Sequence, residues 1–525
     1  MSQLHHVTLL LLIPLGGYCL ISLLLGWLAA RQRVSVNDFL NATNSVPLWI
    51  VSTAFLSANC GALDLLGLSA LATQYGVQAF HFFWIGAVPG MVYVSLRMLR
   101  TYTRMGVRSV PEYLERRYDK RVKLLNAFSF AITMVAMAGI NLYAIGQTLR
   151  VLAGLPFLGS MLVAACVVGL YVLLGGIRAT IYNEAFQLVI LLACLCPLLP
   201  IMAHRGLLNG SLSGTRGHLW TTLPAFSTAA PFDTFGVVLG LGFVLGFSYW
   251  STDFILMQRA LAAEGSFKAR EVPLLAGFGK LTISFFVVLP ALYAPVLIPG
   301  LGREIRYDAA LPSLMALFYS PVLLALGVTA LIASLMSGLA ANVSAFASVW
   351  TEDIYRTQLA PERSEEHYLR IARAATGAAI LLGLLASEIS FRFTNLMEQI
   401  QFVLAIFGPS FWAIFLLGRW KPSVNARAAL GGLTCGVSIA LIHQGLVLGG
   451  VFHYGSMMSA NYHVAVYGFT ACFLAAFALR SSRDDSADAP DSEDAATSKN
   501  SDERAILIWS AILVTLCIGV NWIWR

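Results

Sequence analysis

LSANCGALDLLG, residues 56–67, is the stretch on which the reading of this chain turns. It lies inside a run of about 29 mostly apolar residues, 47–75, long enough to cross a bilayer with tilt or a break. Yet the run carries a carboxylate, Asp64, an amide, Asn59, and two glycines, Gly61 and Gly67. A charge at mid-bilayer depth costs about 2.5–3.5 kcal/mol on insertion scales. Asp64 must therefore face a wet cavity, be paired, or be protonated. Asn59, Gly61 and Gly67 all weaken helix propagation. A break near residues 57–64 would take the intrahelical donors from several backbone carbonyls. A membrane tolerates that only where the freed groups line a cavity or meet a ligand. Such carbonyls suit a small hard cation such as sodium, so the stretch predicts a broken helix at a midplane ion and solute site.

Around it, the chain reads as an all-α polytopic membrane protein. Its 525 residues are 58% hydrophobic and only 12% charged, more apolar surface than a soluble protein can hide. Apolar runs of about 18 or more residues recur from end to end and predict about fourteen transmembrane helices. The runs are continuous and do not alternate, which excludes a β-barrel. The first has no basic residue before it and is too long for a signal peptide, so it is expected to be an uncleaved span. The expected layout is an extra N-terminal transmembrane helix (1–36), a helical core (37–450) and an additional helix (451–480). An acidic, disordered cytoplasmic linker (481–504) then leads to a C-terminal transmembrane helix (505–525). The run at 313–350 is long enough to include a short helix outside the bilayer. All eight cysteines lie in apolar runs, and the one close pair, Cys194 and Cys196, has neither a metal nor a redox spacing. They read as small hydrophobes.

The net charge of +7 raises the question of a nucleic-acid partner, and its distribution answers it. With the N-terminus outside, 26 of the 34 Lys and Arg residues fall in inside connections, seven fall outside, and Lys280 lies within a span. The basic charge thus encodes topology, not nucleic-acid binding. A multi-pass protein of the plasma (inner) membrane is expected, with its acidic linker cytoplasmic. No GxxxxGK[ST] phosphate loop occurs, so an energy-coupled carrier would draw on an ion gradient.

Few other acidic residues enter the spans. Glu184 and Asp253 lie near cytoplasmic ends and Glu388 and Glu398 near outer ends, where they are expected to reach headgroups or water. IASLMSGLAANVSAFASVWTEDIYR, residues 332–356, is rich in small residues and carries Ser334, Ser337, Ser344 and Ser348. It reads either as a helix-packing face or as hydroxyls completing an oxygen cage. In FSYWSTDFILMQRALAAE, residues 247–264, Tyr249 and Trp250 are either lipid-facing or placed to stack on a solute or gate it. His81 and Trp84, three apart, share a helix face, and His81 reads as structural or gating in preference to a proton relay.

Together these stretches resemble the sodium/solute symporter family, which includes sodium/sugar cotransporters and proline permease. The strongest match runs from Ser337 through TEDIYR. YWSTDFILMQRALAA (249–263) and GGIRATIYNEAFQ (175–187) follow, with RSVPEYLERRYD (108–119) as the cytoplasmic loop and LSANCGALDLLG as the first core helix. Their order and spacing cover about residues 37–420. The resemblance implies a LeuT-type core of two inverted five-helix repeats with discontinuous first helices, about 47–203 and 234–447. It also implies alternating access. It places sodium on the carbonyls of Ser57, Cys60 and Ser334 and the hydroxyl of Ser337. The neighbouring position is Gly338, where the family has a second hydroxyl, so the cage is one oxygen short. In the sugar branch, solute contacts fall on Asn59, Asp64, Tyr249 and Gln401, with Trp250 beside them. Asp64 stands where that branch has a neutral polar group or histidine, and Glu184, a coupling or gating candidate with His81 and Trp84, replaces a usual aspartate near the cytoplasmic side. The expectation is a cation-coupled symporter, with sodium and a small polar solute as partners, a sugar first. Neither a cofactor nor an oligomer is required, and no enzyme chemistry is needed. A proton-coupled or uncoupled carrier of an amino acid, amine or carboxylate, or a transporter-like sensor, is the alternative.

Overall fold

The computed structural model describes residues 2–31, 39–40, 46–107, 109–207, 214–421, 423–480 and 500–524. Most of the expected acidic linker, 481–499, lies outside them. Among the described residues every regular element is helical. Eleven helical runs are long and apolar enough to cross a membrane, or twelve when Gly236–Thr252 and Phe254–Leu261 count as one bent span.

That number is below the expected fourteen because some runs contain backbone breaks. The run Phe157–His204 passes through Gly176, whose φ of 59° and ψ of −151° are not helical. A Cβ there would lie 2.4 Å from the carbonyl oxygen of Phe39, so both the dihedrals and the close approach demand glycine. The expected spans 157–176 and 180–203 lie on either side of it. Similarly, the run Leu63–Met105 leaves regular helix at Gly76. The long run at 313–350 divides into Ala310–Phe318 and Pro321–Ser348. Ser320 starts the second piece: its hydroxyl accepts from the Leu323 N–H, and Pro321 pre-sets the first turn.

The chain forms two compact units. The first comprises 1–80, 131–218 and 279–400. In it the Phe157–Leu195 helix packs on both the N-terminal helix, Ser2–Ala30, and the serine-rich helix, Pro321–Ser348. The Leu48–Asn59 helix packs on the same two long helices, Phe157–Leu195 and Pro321–Ser348. The second unit comprises 81–130, 219–278 and 401–525. In it Ala426–Leu448 lies along Met457–Ala478, and a Cβ on Gly436 would meet the Gly468 carbonyl at 2.6 Å. That is the close small-residue crossing that membrane helices use in place of a hydrophobic driving force. The C-terminal helix, Asn500–Ile523, is tied to this unit by Glu503, which accepts two bonds from Arg270 at 2.6 and 2.9 Å.

Three of the four acids expected to reach headgroups or water do not. Glu184, Asp253 and Glu398 are 0%, 6% and 4% exposed, and only Glu388 is at the surface. The case of Asp253 has a clear local cause. It ends one helix and caps the next, accepting from the Leu256 N–H at 3.0 Å, and the chain bends there by 48°. The span expected to stop at 256 therefore continues, redirected, to Leu261.

Candidate ion and solute site

The first half-helix, Leu48–Asn59, stops where the sequence weakens it. Cys60 and Gly61 form a turn in which the Cys60 N–H reaches the carbonyls of Leu56 and Ser57 at 3.1 and 2.9 Å. The chain resumes at Ala62, widens into a π turn over Leu63–Gly67, and continues as Leu68–Tyr75. The serine-rich helix passes this turn within the first unit. Ser57 and Ser337 share a hydroxyl–hydroxyl bond of 3.1 Å, and the Ser334 hydroxyl donates to the Cys60 carbonyl. All four residues expected at the sodium site are thus together and buried. Carbonyls and hydroxyls are the donor set that discontinuous membrane helices offer to sodium. Among the described residues no group of three or more His, Cys, Asp or Glu side chains is placed to hold a metal.

Asp64 sits in the π turn and is 0% exposed. Its Oδ2 accepts from the ammonium of Lys280, itself 1% exposed, on the Ser266–Leu292 helix. Of the three ways to carry a deep carboxylate, this protein uses pairing. Sequence reasoning missed the partner although the signal was there. Lys280 is the one basic residue that the orientation count leaves within a span, and Asp64 the one acid read as deep.

A second missed residue is Asn141, on the Lys120–Ala153 helix. Its Oδ1 accepts from the Ala62 N–H at 3.3 Å, where the second half-helix begins, and its Nδ2 donates to the Met137 carbonyl at 2.9 Å.

The expected solute residues are distributed over both units. Asn59 and Asp64 belong to the first; Tyr249, Trp250 and Gln401 belong to the second. Asn59 is the last residue of its half-helix and is buried. Tyr249 and Trp250 stand in the turn before the bend at Asp253, their rings edge to face at 5.3 Å. Gln401 is buried, on the helix Leu396–Trp420. That helix starts from a fixed point in the first unit. Asp308 accepts from the Leu396 N–H at 2.8 Å and from Arg306 at 3.1 Å, and Asn395 accepts from the Glu398 N–H at 2.9 Å. Burial raises the Asp308 carboxyl above the usual aspartate range, against the pull of Arg306 and the Leu396 N–H.

His81 and Trp84 are buried in the second unit. His81 Nε2 donates to the Leu219 carbonyl at 2.9 Å, and its ring meets Trp220 edge-on at 4.3 Å, so it anchors the segment at 219–220. Glu184 lies two turns beyond the Gly176 break, between buried amides. Asn183 donates to the Ser22 carbonyl at 3.2 Å and Gln187 to the Tyr18 hydroxyl at 2.6 Å, joining this stretch to the N-terminal helix.

Comparison with known proteins agrees with this architecture. The chain is 24% identical over 462 residues to the sodium/glucose cotransporter of Vibrio parahaemolyticus, covering 83% of this chain and 84% of that one. It is 24% identical over 459 residues to sodium/glucose cotransporter 1 of Sus scrofa, covering 79% and 68%. The solved structure of a Na+-coupled sialic acid symporter, substrate-bound and outward-open, superposes with a TM-score of 0.75. It is 16% identical and covers 89% of this chain and 96% of that one, which establishes a shared LeuT-type fold. The profile of the sodium:solute symporter family matches residues 39–436, and with three quarters of its length inside that match, this chain, a transporter and not an enzyme, belongs to the sodium:solute symporter family.

Proposed function

We propose that this protein couples sodium to the symport of a small polar organic solute without net charge, a sugar in first place, by alternating access. The observation that carries the reading is the end of the half-helix and its turn held against the serine-rich helix, Ser57 on Ser337 and the Cys60 carbonyl on Ser334. Sodium bound by Ser57, Cys60, Ser334 and Ser337 draws the broken helix and the serine-rich helix together and favours the outward-open state. Solute then binds, and the carrier occludes and rocks. The ion's differential affinity for the two states supplies the bias.

The solute contacts proposed in the first unit are Asn59 and Asp64, now with Lys280; those proposed in the second are Tyr249, Trp250 and Gln401. Because Asp64 and Lys280 neutralise each other, the site presents a donor and an acceptor without a net charge. Sugar hydroxyls can use both. The sodium/glucose cotransporters, relatives over most of the chain, point the same way. The same pair favours a second reading, a zwitterion such as an amino acid, whose two charges would exchange partners with Asp64 and Lys280.

In this reading the spanning runs make fourteen crossings, the runs Leu63–Met105 and Phe157–His204 each being divided, at Gly76 and Gly176. Two inverted five-helix repeats lie within about 47–203 and 234–447, the second range also holding a sixth spanning helix, Ala426–Leu448. The helices at 1–36, 451–480 and 505–525 are additions outside the repeats, the N-terminus is outside, and the protein resides in the plasma (inner) membrane without needing a second copy.

The test is uptake into proteoliposomes. Inward sodium gradients should drive concentrative uptake that potassium at equal pH does not support. Uptake that follows only a pH gradient would reject sodium coupling. A melting-temperature screen against sugars, amino acids and carboxylates, with and without sodium, should show a sodium-dependent shift with a neutral or zwitterionic solute. A shift confined to anions would reject the neutral-site reading.

A further inference from the structure

The serine-rich helix meets the turn at 60–61 with Gly338, at the position where the family offers a hydroxyl. Another side chain fills that space. A Cβ built on Gly338 would lie 2.6 Å from Oδ1 of Asn141 and 3.1 and 3.2 Å from its Cγ and Nδ2. A Cβ on Gly61 would lie 2.8 Å from the same Oδ1 and 3.4 Å from the Gly338 Cα. The carboxamide oxygen therefore sits between two glycines, at the break itself, where a side chain at 338 would begin. A side chain at 338 and the Asn141 amide in this position cannot share the space, so one of them must shift. Both glycines are needed to admit the amide, which accounts for Gly338 without treating it as a defect.

The amide is also held in one orientation. Asn141 is 5% exposed, and its Nδ2 is committed to the Met137 carbonyl, which points Oδ1 at the turn. An amide oxygen has two lone pairs. The Ala62 N–H takes one. The other is available to a cation among the oxygens of Ser57, Cys60, Ser334 and Ser337.

We propose that Asn141 is a sodium ligand whose Oδ1 replaces the hydroxyl missing at position 338. The inference rests on sodium coupling. It also makes the site a joint product of three helices: the broken helix, the serine-rich helix and Lys120–Ala153.

The experiment is a sodium titration of the purified full-length protein in detergent, with potassium holding ionic strength constant. It is read as thermal stabilisation and as radioactive sodium binding. Wild type should respond to sodium; a silent wild type would overturn sodium coupling itself, together with any ligand role for Asn141. Asn141→Ala should raise the half-saturating sodium at least about tenfold, the lower end of what losing a supporting contact costs a metal site. Gly338→Ser alone should be destabilised, because its Cβ meets Oδ1. Asn141→Ala with Gly338→Ser should return the half-saturating sodium close to wild type. Asn141→Asp keeps an oxygen in place and should bind sodium at least as well as wild type, which keeps the test decisive should Asn141→Ala not fold. A purely structural Asn141, one that only caps Ala62, would give the opposite result. Asn141→Ala would then melt lower in sodium-free buffer with an unchanged sodium response, or a folded Asn141→Asp would lose that response, and either finding overturns the proposal.

Discussion

Asp64 and Lys280 show how one buried residue decides the fate of another. Breaking a buried ion pair from one side typically costs about 3–5 kcal/mol, because the surviving charge is left without compensation, whereas replacing both partners is often nearly neutral. Lys280→Met should therefore lower the melting temperature sharply. Asp64→Asn combined with Lys280→Met should recover most of the loss in the same measurement. Equal melting of single and double variants would show that the pair is not coupled. At this scale the sequence was half legible. Asp64, Asn59 and Gly61 stand out because polar and glycine residues are costly in an apolar run. Their partners do not. Lys280 is 216 residues from Asp64, and Asn141 is 79 from Ala62. An asparagine on an otherwise unremarkable helix carries no local signature of what it touches.

Elements were legible where hydropathy punctuates them and illegible where it does not. The gap between the expected spans 157–176 and 180–203 marks the Gly176 break, because the glycine pair there interrupts both helix propensity and packing. The bend at Asp253 was hidden, since the apolar residues 254–257 that follow it read as the end of the same span. A capping aspartate makes the new direction by serving the donors of the helix that follows. The start of Leu396–Trp420 depends on a similar device, and there acid–base chemistry enters. Asp308 binds its proton more tightly in the folded protein than in the unfolded chain, because burial disfavours its charge. Its contribution to stability is then full below the unfolded value, near pH 4, and is lost as pH rises through the raised folded value. Melting temperature should decline with rising pH across that window, and Asp308→Asn should flatten the decline. An unchanged slope in the variant would assign the pH dependence to other groups.

For the whole molecule, the class was legible from hydropathy alone, while charge carries an expected orientation. Lys and Arg distribute by side of the membrane whatever the helices do in detail. The number of crossings was harder, because broken helices decouple the count of apolar runs from the count of continuous helices. The division into two compact units could not be read from the sequence at all, since each unit is assembled from three separate stretches of chain.

The mutual cancellation of Asp64 and Lys280 has an electrical consequence. A unit charge moved through the full membrane potential exchanges about 2.3 kcal/mol per 100 mV with the field. In the wild-type carrier this pair contributes no such charge, so voltage acts through the sodium that the loaded form carries. Asp64→Asn strips one sign from the pair and leaves the Lys280 ammonium riding with the site. Its solute-free reorientation should become an electrogenic step, visible as a transient displacement current after a voltage jump, where wild type shows a current only with sodium present.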